Sequence, residues 1–295
     1  MSTLVITEPY GRLGNRYLRL ANLLATALET NSWLVDFSLR ADHFQHGLAA
    51  SAGRRYFVHP AMPARGAALG IHLDRLLTSA HKRGWLESFA EVVRNGREGH
   101  LEHLDTPAWT EKLSSARLFC FPDFNYQART WLVRHGPRVR HLMRPATRPL
   151  ERAREALEAC RQHAPHVLGV HIRATDYHRW RQGSQFVPPE AFESQIEAYR
   201  KHRGGKIAVL IASDEPKIKD RFSARPGCFS FDLDLYEDLY ALSLCDYLIG
   251  TGMSTYSAWA SFVGEIPLLR LFPGEVPGPF TKAPIAFSPD FDYRA

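Results

Sequence analysis

Cysteine is scarce in this 295-residue sequence, and its four copies lie far apart. No two of them form a CxxC pair; they are Cys120, Cys160, Cys228 and Cys245. Zinc ribbons and disulfide-rich secreted domains need clustered or numerous cysteines. The spacing therefore argues against both classes and favours a reducing compartment.

Long apolar segments are lacking as well. The most apolar stretch, residues 18–28, is interrupted by Arg19 and Asn22, whereas a membrane helix needs about 20 apolar residues. The first residues also lack the basic segment and apolar run of a signal peptide. We therefore expect a cytoplasmic protein without a transmembrane segment.

Runs of like charge are absent, although the net charge is +6. The excess lies in one half, because residues 1–150 carry a net charge of +8 and residues 151–295 carry −2. Arginine accounts for 30 of the 37 basic residues, and these are spread singly. Such a field suits an anionic small ligand or acceptor better than nucleic acid, so we expect no nucleic-acid partner.

In the first half, apolar runs that indicate strands alternate with helical patterns, which is typical of an α/β fold. The pattern predicts a strand at 3–7, a glycine turn at 11–15, a helix at 17–28 and strands at 32–37 and 117–121. Helical hints at 73–77 and 85–93 do not establish the order of elements between 38 and 115.

A domain boundary is predicted at residues 144–149, where two Arg-Pro pairs disfavour a continuous helix. The length of the chain suits two domains. We therefore predict an N-terminal domain at 1–148 and a C-terminal domain at 149–295.

The second half alternates more clearly. Its predicted strands are 166–172, 206–213, 228–231, 247–250 and 266–271, and its predicted helices are 150–163, 189–202, 215–222, 235–245 and 255–263. This order is typical of a doubly wound parallel sheet with right-handed crossovers. Ligands of such sheets bind beyond the carboxyl ends of the strands, so residues that follow strands are the candidates.

Three candidates leave the end of the strand at 166–172. His171 and Arg173 share one side of the extended chain, and Asp176 enters the next turn. An arginine there can bind two phosphate oxygens and neutralise a leaving diphosphate. An alternative interpretation is a purely structural ion pair between Arg173 and Asp176.

The strand at 247–250 is followed by a second set. Gly250 and Gly252 would let the backbone approach a ligand. Ser254 and Thr255 stand at the start of a helix, where hydroxyl and N–H groups bind phosphate. An ordinary capped helix has the same pattern, so both interpretations stay open.

Asp214 follows the strand at 206–213. There it would accept hydrogen bonds from a ribose or a base, or simply cap the next helix. The glycine turn of the first half holds the other candidates, Gly11, Arg12, Gly14 and Asn15. We expect these loops to converge on one cleft between the two domains.

The ordered set of these motifs resembles the fucosyltransferase superfamily, which includes alpha-1,2- and alpha-1,6-fucosyltransferases and protein O-fucosyltransferases. The segments that carry the resemblance are Gly11–Asn15, His171–Asp176, Ser213–Asp214, Glu237–Tyr240, Ile249–Gly250 and Ser254–Trp259. The resemblance implies a GT-B-like fold, in which two Rossmann-like domains with parallel sheets face a central cleft. It also implies an inverting, metal-independent enzyme that moves fucose from GDP-fucose to a hydroxyl of a glycan or protein.

By position, the resemblance assigns most roles to the C-terminal domain, which would bind the nucleotide sugar. Arg173 would hold the diphosphate, and His171 and Asp176 would order its loop and help bind the nucleotide. Asp214 would bind the ribose or guanine, and the phosphates would contact two further residues, Ser254 and Thr255. In the N-terminal, acceptor-side domain, the residues near the reacting sugar would be Asn15, Arg12 and Gly14.

Departures from the family pattern leave the acceptor class open. Ala174 and Thr175 stand where many members have Arg-Gly, and Arg16 stands where many have Gln. A lipid-linked glycan, an O-antigen, a chitooligosaccharide and a protein remain alternatives. We expect a bacterial enzyme that acts on a glycan precursor, with peripheral membrane contact if that precursor is lipid-linked.

No general base or metal site emerges. Asp36 and Asp123 are candidate bases by position alone, since most such carboxylates cap or pair. Asp232 and Asp234 precede a helix, which indicates capping instead of metal ligation. We therefore expect no prosthetic group and no divalent cation.

Two other hypotheses stay open: a transferase that uses another nucleotide sugar, and a nucleotide- or glycan-binding relative without turnover.

Overall fold

The computed structural model describes residues 2–7, 11–36, 56–58, 79, 85, 90–94, 101–115, 117–123 and 125–291. The chain divides into two compact units, Met1–Ala146 and Thr147–Ala295, called unit 1 and unit 2. Across the described ranges, no helix is long and apolar enough to span a membrane. The helical hint at 73–77 lies outside the described residues.

Unit 1 is built on a parallel sheet. Its strands are β1 (Thr3–Ile6), β2 (Trp33–Asp36), β3 (Tyr56–Val58), β4 (Glu91–Val92) and β6 (Leu118–Phe121), in the order β3-β2-β1-β6-β4. A separate parallel pair consists of β5 (Glu102–His103) and β7 (Tyr126–Gln127). The helices described in this unit are α1 (Leu13–Glu29), α2 (Pro107–Ser114) and α3 (Arg129–Leu142).

The local predictions for unit 1 are confirmed in part. The first strand and the strands predicted at 32–37 and 117–121 are observed. The helix α1 begins at Leu13, so the turn predicted at 11–15 is wrong for residues 13–15, which are helical. The helical hint at 85–93 is wrong for Glu91 and Val92, which pair with β6, because so short a strand depends on a distant partner.

Unit 2 carries a second five-stranded sheet. Its strands are β8 (Val167–Ile172), β9 (Ala208–Ser213), β10 (Cys228–Phe229), β11 (Tyr247–Thr251) and β12 (Leu268–Leu271), all parallel, in the order β10-β9-β8-β11-β12. Its helices are α4 (Thr147–Arg161), α5 (Pro189–His202), α6 (Pro216–Ser223), α7 (Leu235–Ser243) and α8 (Thr255–Gly264). Every strand and helix predicted for this half is observed, with shifts only at the ends.

The central strand β8 is the core of unit 2, since all six of its residues are buried. A strand covered on both faces needs a nearly continuous apolar run, which the sequence VLGVHI supplies. Its one glycine allows close packing: a Cβ at Gly169 would lie 2.5 Å from Leu248 and 3.0 Å from the Cys245 Sγ.

Local signals start the helices of unit 2. Both α5 and α6 begin with proline, which suits a first turn because its missing N–H has no helical partner there. The helix α7 begins with a capping box, in which Asp234 accepts hydrogen bonds from the backbone of Tyr236 and Glu237, and the Glu237 carboxylate accepts one from Asp234. The predicted capping role is therefore confirmed for Asp234.

The end of α8 gives a test of this packing. A Cβ at Gly264 would lie 2.0 Å from the backbone oxygen of Ser243, which cannot rotate away. We expect Gly264→Ala to lower the free energy of unfolding by about 3 kcal/mol, measured by urea denaturation. The control is Gly278→Ala, since nothing lies within 4 Å of a Cβ there. Equal losses in the two variants would contradict the packing argument.

Candidate functional site

The strand order of unit 2 reverses at β8, whose neighbours β9 and β11 continue in opposite directions. Ligands of doubly wound sheets bind at the carboxyl ends of the strands at such a point. Arg173 follows β8 directly, and its backbone N–H donates to the hydroxyl of Thr251, the last residue of β11, at 2.9 Å. This hydrogen bond fixes the start of the Arg173 loop across the reversal point.

Two carboxylates hold the Arg173 guanidinium. Its Nε and Nη2 donate to the two oxygens of Asp176 at 2.7 and 2.8 Å, and Nε lies 3.2 Å from an oxygen of Asp214. Burial lowers the pKa of Arg173, but the hydrogen bonds to Asp176 and the charge of Asp214 outweigh burial and hold that pKa above its usual value. The structural ion pair therefore exists. It leaves two N–H groups at Nη1 and one at Nη2, for which the described residues supply no partner.

Asp214 holds the backbone of the same loop. One oxygen accepts from the N–H groups of Ala174 and Thr175 at 2.8 and 3.3 Å, and the other accepts from the Thr175 hydroxyl. Burial raises the pKa of Asp214, but the hydrogen bonds from Thr175 and Ala174 outweigh burial and keep that pKa below its usual value. The capping interpretation is wrong, because Glu215 is the residue at the N-cap of α6. The predicted contact with a ribose or guanine stays a prediction.

His171 belongs to the sheet. It lies in β8 opposite Ala212 and Gly250, is 4% exposed, and packs its ring on that of Tyr256 with 4.7 Å between centroids. Burial, assisted by the charge of Arg173, lowers the pKa of His171 to about 3. Its imidazole is therefore neutral near pH 7. The ring packs against α8 through Tyr256, and the predicted roles of His171 in ordering the loop and in binding the nucleotide stay predictions.

The glycines before α8 serve packing. A Cβ at Gly250, inside β11, would lie 2.6 Å from the Oγ of Ser257, and one at Gly252 would lie 2.5 Å from the ring of Phe272. Packing therefore requires glycine at both positions. That these glycines let the backbone approach a ligand stays a prediction.

Ser254 and Thr255 mark the start of α8. Ser254 is the N-cap residue, but its side chain makes no capping hydrogen bond, and its backbone N–H donates to the carbonyl of Thr251 at 2.9 Å. Thr255 is the first helical residue and is partly exposed. Because Thr251 also binds the N–H of Arg173, the helix start and the Arg173 loop share one anchor. The phosphate contacts of Ser254 and Thr255 stay predictions.

The other predicted site residues lie in unit 1, at the start of α1. Arg12 is the N-cap residue, whereas Gly14 and Asn15 lie in the first helical turn and not in a loop as predicted. Gly11 has a φ of 71°, and a Cβ there would lie 2.6 Å from the Nδ2 of Asn15. Arg16 donates from Nε to the Gly11 carbonyl at 3.0 Å. Position 11 thus requires glycine, because its φ is positive and because a Cβ there would collide with the Asn15 amide.

Unit 1 contains a buried charge that the sequence pattern did not reveal. Arg19 is 1% exposed and donates from Nη1 to the carbonyls of Pro122 and Asp123 at 3.2 and 2.8 Å. Burial lowers the pKa of Arg19, and the charge of the buried Asp36 opposes that shift. The candidate base Asp36 therefore compensates a buried cation. The available signal was an arginine inside the apolar stripe of α1.

A further ion pair, partly exposed, joins α6 to α7. The Nζ of Lys219 lies 2.8 Å from an oxygen of Asp238. Burial raises the pKa of Asp238 to about 6, although the Lys219 charge lowers it. Asp238 lies in the Glu237–Tyr240 motif but was not among the predicted site residues. Perturbed carboxylates cluster at functional sites, so Asp238 joins the candidates.

The buried His171 predicts a dependence of stability on pH. An unfolded histidine gains a proton below a pKa of about 6.5, whereas the folded-state pKa of His171 is depressed to about 3. Stability from this group is therefore present above pH 6.5 and is lost as the pH falls, by about 2 kcal/mol between pH 7.5 and pH 5. We expect His171→Phe, which keeps a ring beside Tyr256, to lose about 2 kcal/mol less over this range in urea denaturation.

The control for this measurement is His178→Phe, which replaces an exposed histidine of the same unit. We expect this variant to keep the pH dependence of the wild type. If His171→Phe also keeps it, the neutral buried imidazole is contradicted.

Comparison with known proteins finds a likeness in structure. No protein-family model and no curated protein sequence matches the chain. The structure is similar to POFUT1 in complex with GDP-fucose, with a TM-score of 0.57 and 15% identity over 92% of this chain and 97% of that one. It is also similar to a FUT1 mutant of Arabidopsis thaliana in complex with GDP, with a TM-score of 0.58 and 16% identity over 92% of this chain and 71% of that one. A third similar structure is the fucosyltransferase NodZ from Bradyrhizobium, with a TM-score of 0.54 and 15% identity over 95% of this chain and 100% of that one. The chain therefore has the GT-B-like α/β fold of these fucosyltransferases, as the resemblance of its motifs predicts.

Proposed function

We propose that the protein is an inverting glycosyltransferase that moves fucose from GDP-fucose to a hydroxyl of a glycan or protein without a metal ion. The observation that carries the proposal is the Arg173 guanidinium at the carboxyl end of β8, with donors left for an anion. The fold supports it, because the similar structures include complexes with GDP and with GDP-fucose.

The chemistry of the reaction explains why this arginine matters. Cleavage of the bond between the sugar C1 and the diphosphate leaves positive charge on the sugar and negative charge on GDP. The donors of Arg173 suit phosphate oxygens, with which they form charge-assisted hydrogen bonds. The acceptor hydroxyl attacks C1 from the face opposite to GDP as the bond from C1 to the diphosphate breaks. This inverts the anomeric centre, and the hydroxyl proton is released to solvent.

The contacts around Arg173 support electrostatic preorganisation. Asp176 orients the guanidinium, Asp214 holds the next two backbone N–H groups, and Thr251 holds the N–H of Arg173 itself. Because these contacts come from the protein's own groups, we expect little reorganisation as charge develops on the leaving group. In the proposed site, the α8 N-terminus at Ser254 and Thr255 adds a second positive pole.

We assign the nucleotide sugar to residues 149–295 and the acceptor to residues 1–148. The place of Arg173 in unit 2 supports the first assignment. The net charge of +8 on residues 1–150 supports the second, since it favours polar or anionic acceptors. Within this part, we place Arg12, Gly14 and Asn15 near the reacting sugar, where the Asn15 amide can both donate to and accept from hydroxyl groups.

We also propose that the enzyme is bacterial and cytoplasmic and acts on a glycan precursor. If that precursor is lipid-linked, the enzyme contacts the membrane peripherally. The four cysteines support a reducing compartment, since all are free and buried.

The donor and the metal requirement are tested together by thermal shift and by GDP release, both in EDTA. We expect GDP and GDP-fucose to raise the Tm in EDTA, because Arg173 and the helix N-terminus bind the diphosphate without a cation. We expect UDP, CDP and their sugars to raise it less, because they lack the guanine that Asp214 is proposed to bind. Among the described residues, no three His, Cys, Asp or Glu side chains group as metal ligands would.

Three outcomes would contradict this proposal. Stabilisation by UDP-sugars alone would show that GDP-fucose is not the donor. Binding of GDP without release of GDP from GDP-fucose, with or without acceptors, would indicate a binding protein. Activity that is lost in EDTA and restored by manganese would contradict metal independence.

The role of Arg173 is tested by Arg173→Lys, which keeps the charge but loses the forked geometry. We expect GDP release from GDP-fucose to slow about 10²–10³-fold, as for loss of a preorganised charge contact in a transition state. The control, Arg154→Gln, removes an exposed arginine on α4 and should keep wild-type turnover. Wild-type turnover in Arg173→Lys, with an unchanged urea midpoint, would refute the assignment.

A further inference from the structure

The positive charge of this chain is concentrated in one stretch of its sequence. No acidic residue lies between Asp123 and Glu151, and this stretch contains six arginines: Arg129, Arg134, Arg138, Arg140, Arg144 and Arg148. Without these arginines, the chain would have as many basic as acidic residues, so they account for its net charge of +6. All but Arg148 lie in unit 1, on the helix α3 or just after it.

The helix α3 has one buried side and one exposed side. It packs against α1, where Asn22 accepts a hydrogen bond from the backbone N–H of Ala128 at 2.8 Å. Its buried residues are Trp131, Leu132, Gly136, Val139 and Leu142. Most of its exposed residues lie on the opposite side at helical spacing. Together with the exposed Arg144, we call them the basic face: Val133, Arg134, Pro137, Arg138, His141 and Arg144.

Ion pairs with described residues compensate only part of this charge. Glu29, at the end of α1, pairs with Arg134 and with His135, whose Nε2 lies 2.7 Å from a Glu29 oxygen. Arg138 and Arg144 are exposed, and neither forms an ion pair with a described residue. Two guanidinium groups of the basic face therefore remain for a partner.

The helix dipole does not account for these two arginines. Arg140 and His141 lie in the last turn of α3, where the partial negative charge of the terminal carbonyls favours cations. Arg138 precedes that turn, and Arg144 follows the end of the helix. Their charges thus serve neither an ion pair with a described residue nor the end of the helix.

Two apolar side chains lie among the charges of the basic face. Val133 is 42% exposed, and Pro137, about one turn further along the helix, is exposed as well. Exposed apolar groups beside arginines indicate a helix that lies at a membrane surface. The phosphates of a nucleic acid would use the arginines alone, so the apolar pair favours a membrane.

We propose that the basic face docks unit 1 on a lipid bilayer that contains anionic phospholipids. The positive face is complementary to the negative surface of such a membrane. The guanidiniums of Arg138 and Arg144 bind lipid phosphates, and Val133 and Pro137 enter the boundary between head groups and acyl chains. Unit 1 is also the part to which we assign the acceptor. A lipid-linked glycan is then the acceptor class, and this last step rests on the proposed function.

The surface is tested by sedimentation of the full chain with vesicles, at physiological salt and without nucleotide. One set of vesicles contains equal amounts of phosphatidylglycerol and phosphatidylcholine, and the other contains phosphatidylcholine alone. We expect tighter binding to the first set, and Arg138→Gln/Arg144→Gln to weaken that binding about thirtyfold, because each arginine is attracted to the anionic surface. Val133→Ser should weaken it about threefold, because the membrane takes up an exposed apolar group.

The matched control is Arg154→Gln/Lys206→Gln, which removes two exposed positive charges from unit 2 and should bind the anionic vesicles as the wild type does. Equal weakening in the two double variants would attribute binding to net charge and overturn the proposed surface. Equal or absent binding of the two vesicle sets by the wild type would overturn it as well. If the wild type binds single-stranded RNA at the same salt but not the anionic vesicles, the partner is a nucleic acid and the inference is wrong.

GDP release from GDP-fucose is measured separately, without vesicles. We expect Arg138→Gln/Arg144→Gln to release GDP at the wild-type rate, because neither arginine is among the residues proposed for the reaction. Loss of this release, with an unchanged urea midpoint, would assign the two arginines to the reaction and contradict the inference. If the wild type binds the anionic vesicles through this face but releases no GDP, the proposed function fails while the membrane surface stands.

Discussion

The ion pair of one arginine with two aspartates organises the candidate site of unit 2. The side chain of Arg173 is only 14% exposed, and its charge is compensated by Asp176 and Asp214. A largely buried charge without such partners would destabilise the fold strongly. One of these carboxylates also determines the path of the chain, because Asp214 accepts hydrogen bonds from the next two backbone N–H groups, those of Ala174 and Thr175.

Unit 1 also contains an arginine whose buried charge must be compensated, but this arginine is more deeply buried. Arg19 is almost fully buried, its charge is opposed by Asp36 at the end of β2, and its Nη1 donates to carbonyls that follow β6. This arginine joins strand ends from inside the unit. Arg173, by contrast, is partly exposed and keeps three N–H donors beyond its ion pair. The difference in exposure separates a structural cation from one that can meet a phosphate.

The sequence predicts unit 2 much better than unit 1. The strands β8, β9 and β11 are five or six residues long, nearly continuously apolar, and lie between clear helices, so their signals are local. The strand β4 has two residues and exists because it pairs with β6. In the site, the sequence correctly indicated an arginine directly after a central strand. It did not reveal that packing requires glycine at 250 and 252, because the atoms next to them belong to Ser257 and Phe272.

The sequence by itself determined the alternation of strands and helices in residues 147–291 and the position of Arg173 after β8, since both follow from periodicity and from nearest neighbours along the chain. Tertiary structure decided what each candidate contacts. Asp214 reaches a backbone 40 residues away, and Arg19 is buried inside unit 1. These outcomes depend on which surfaces of distant elements cover one another, and a one-dimensional pattern does not contain that information.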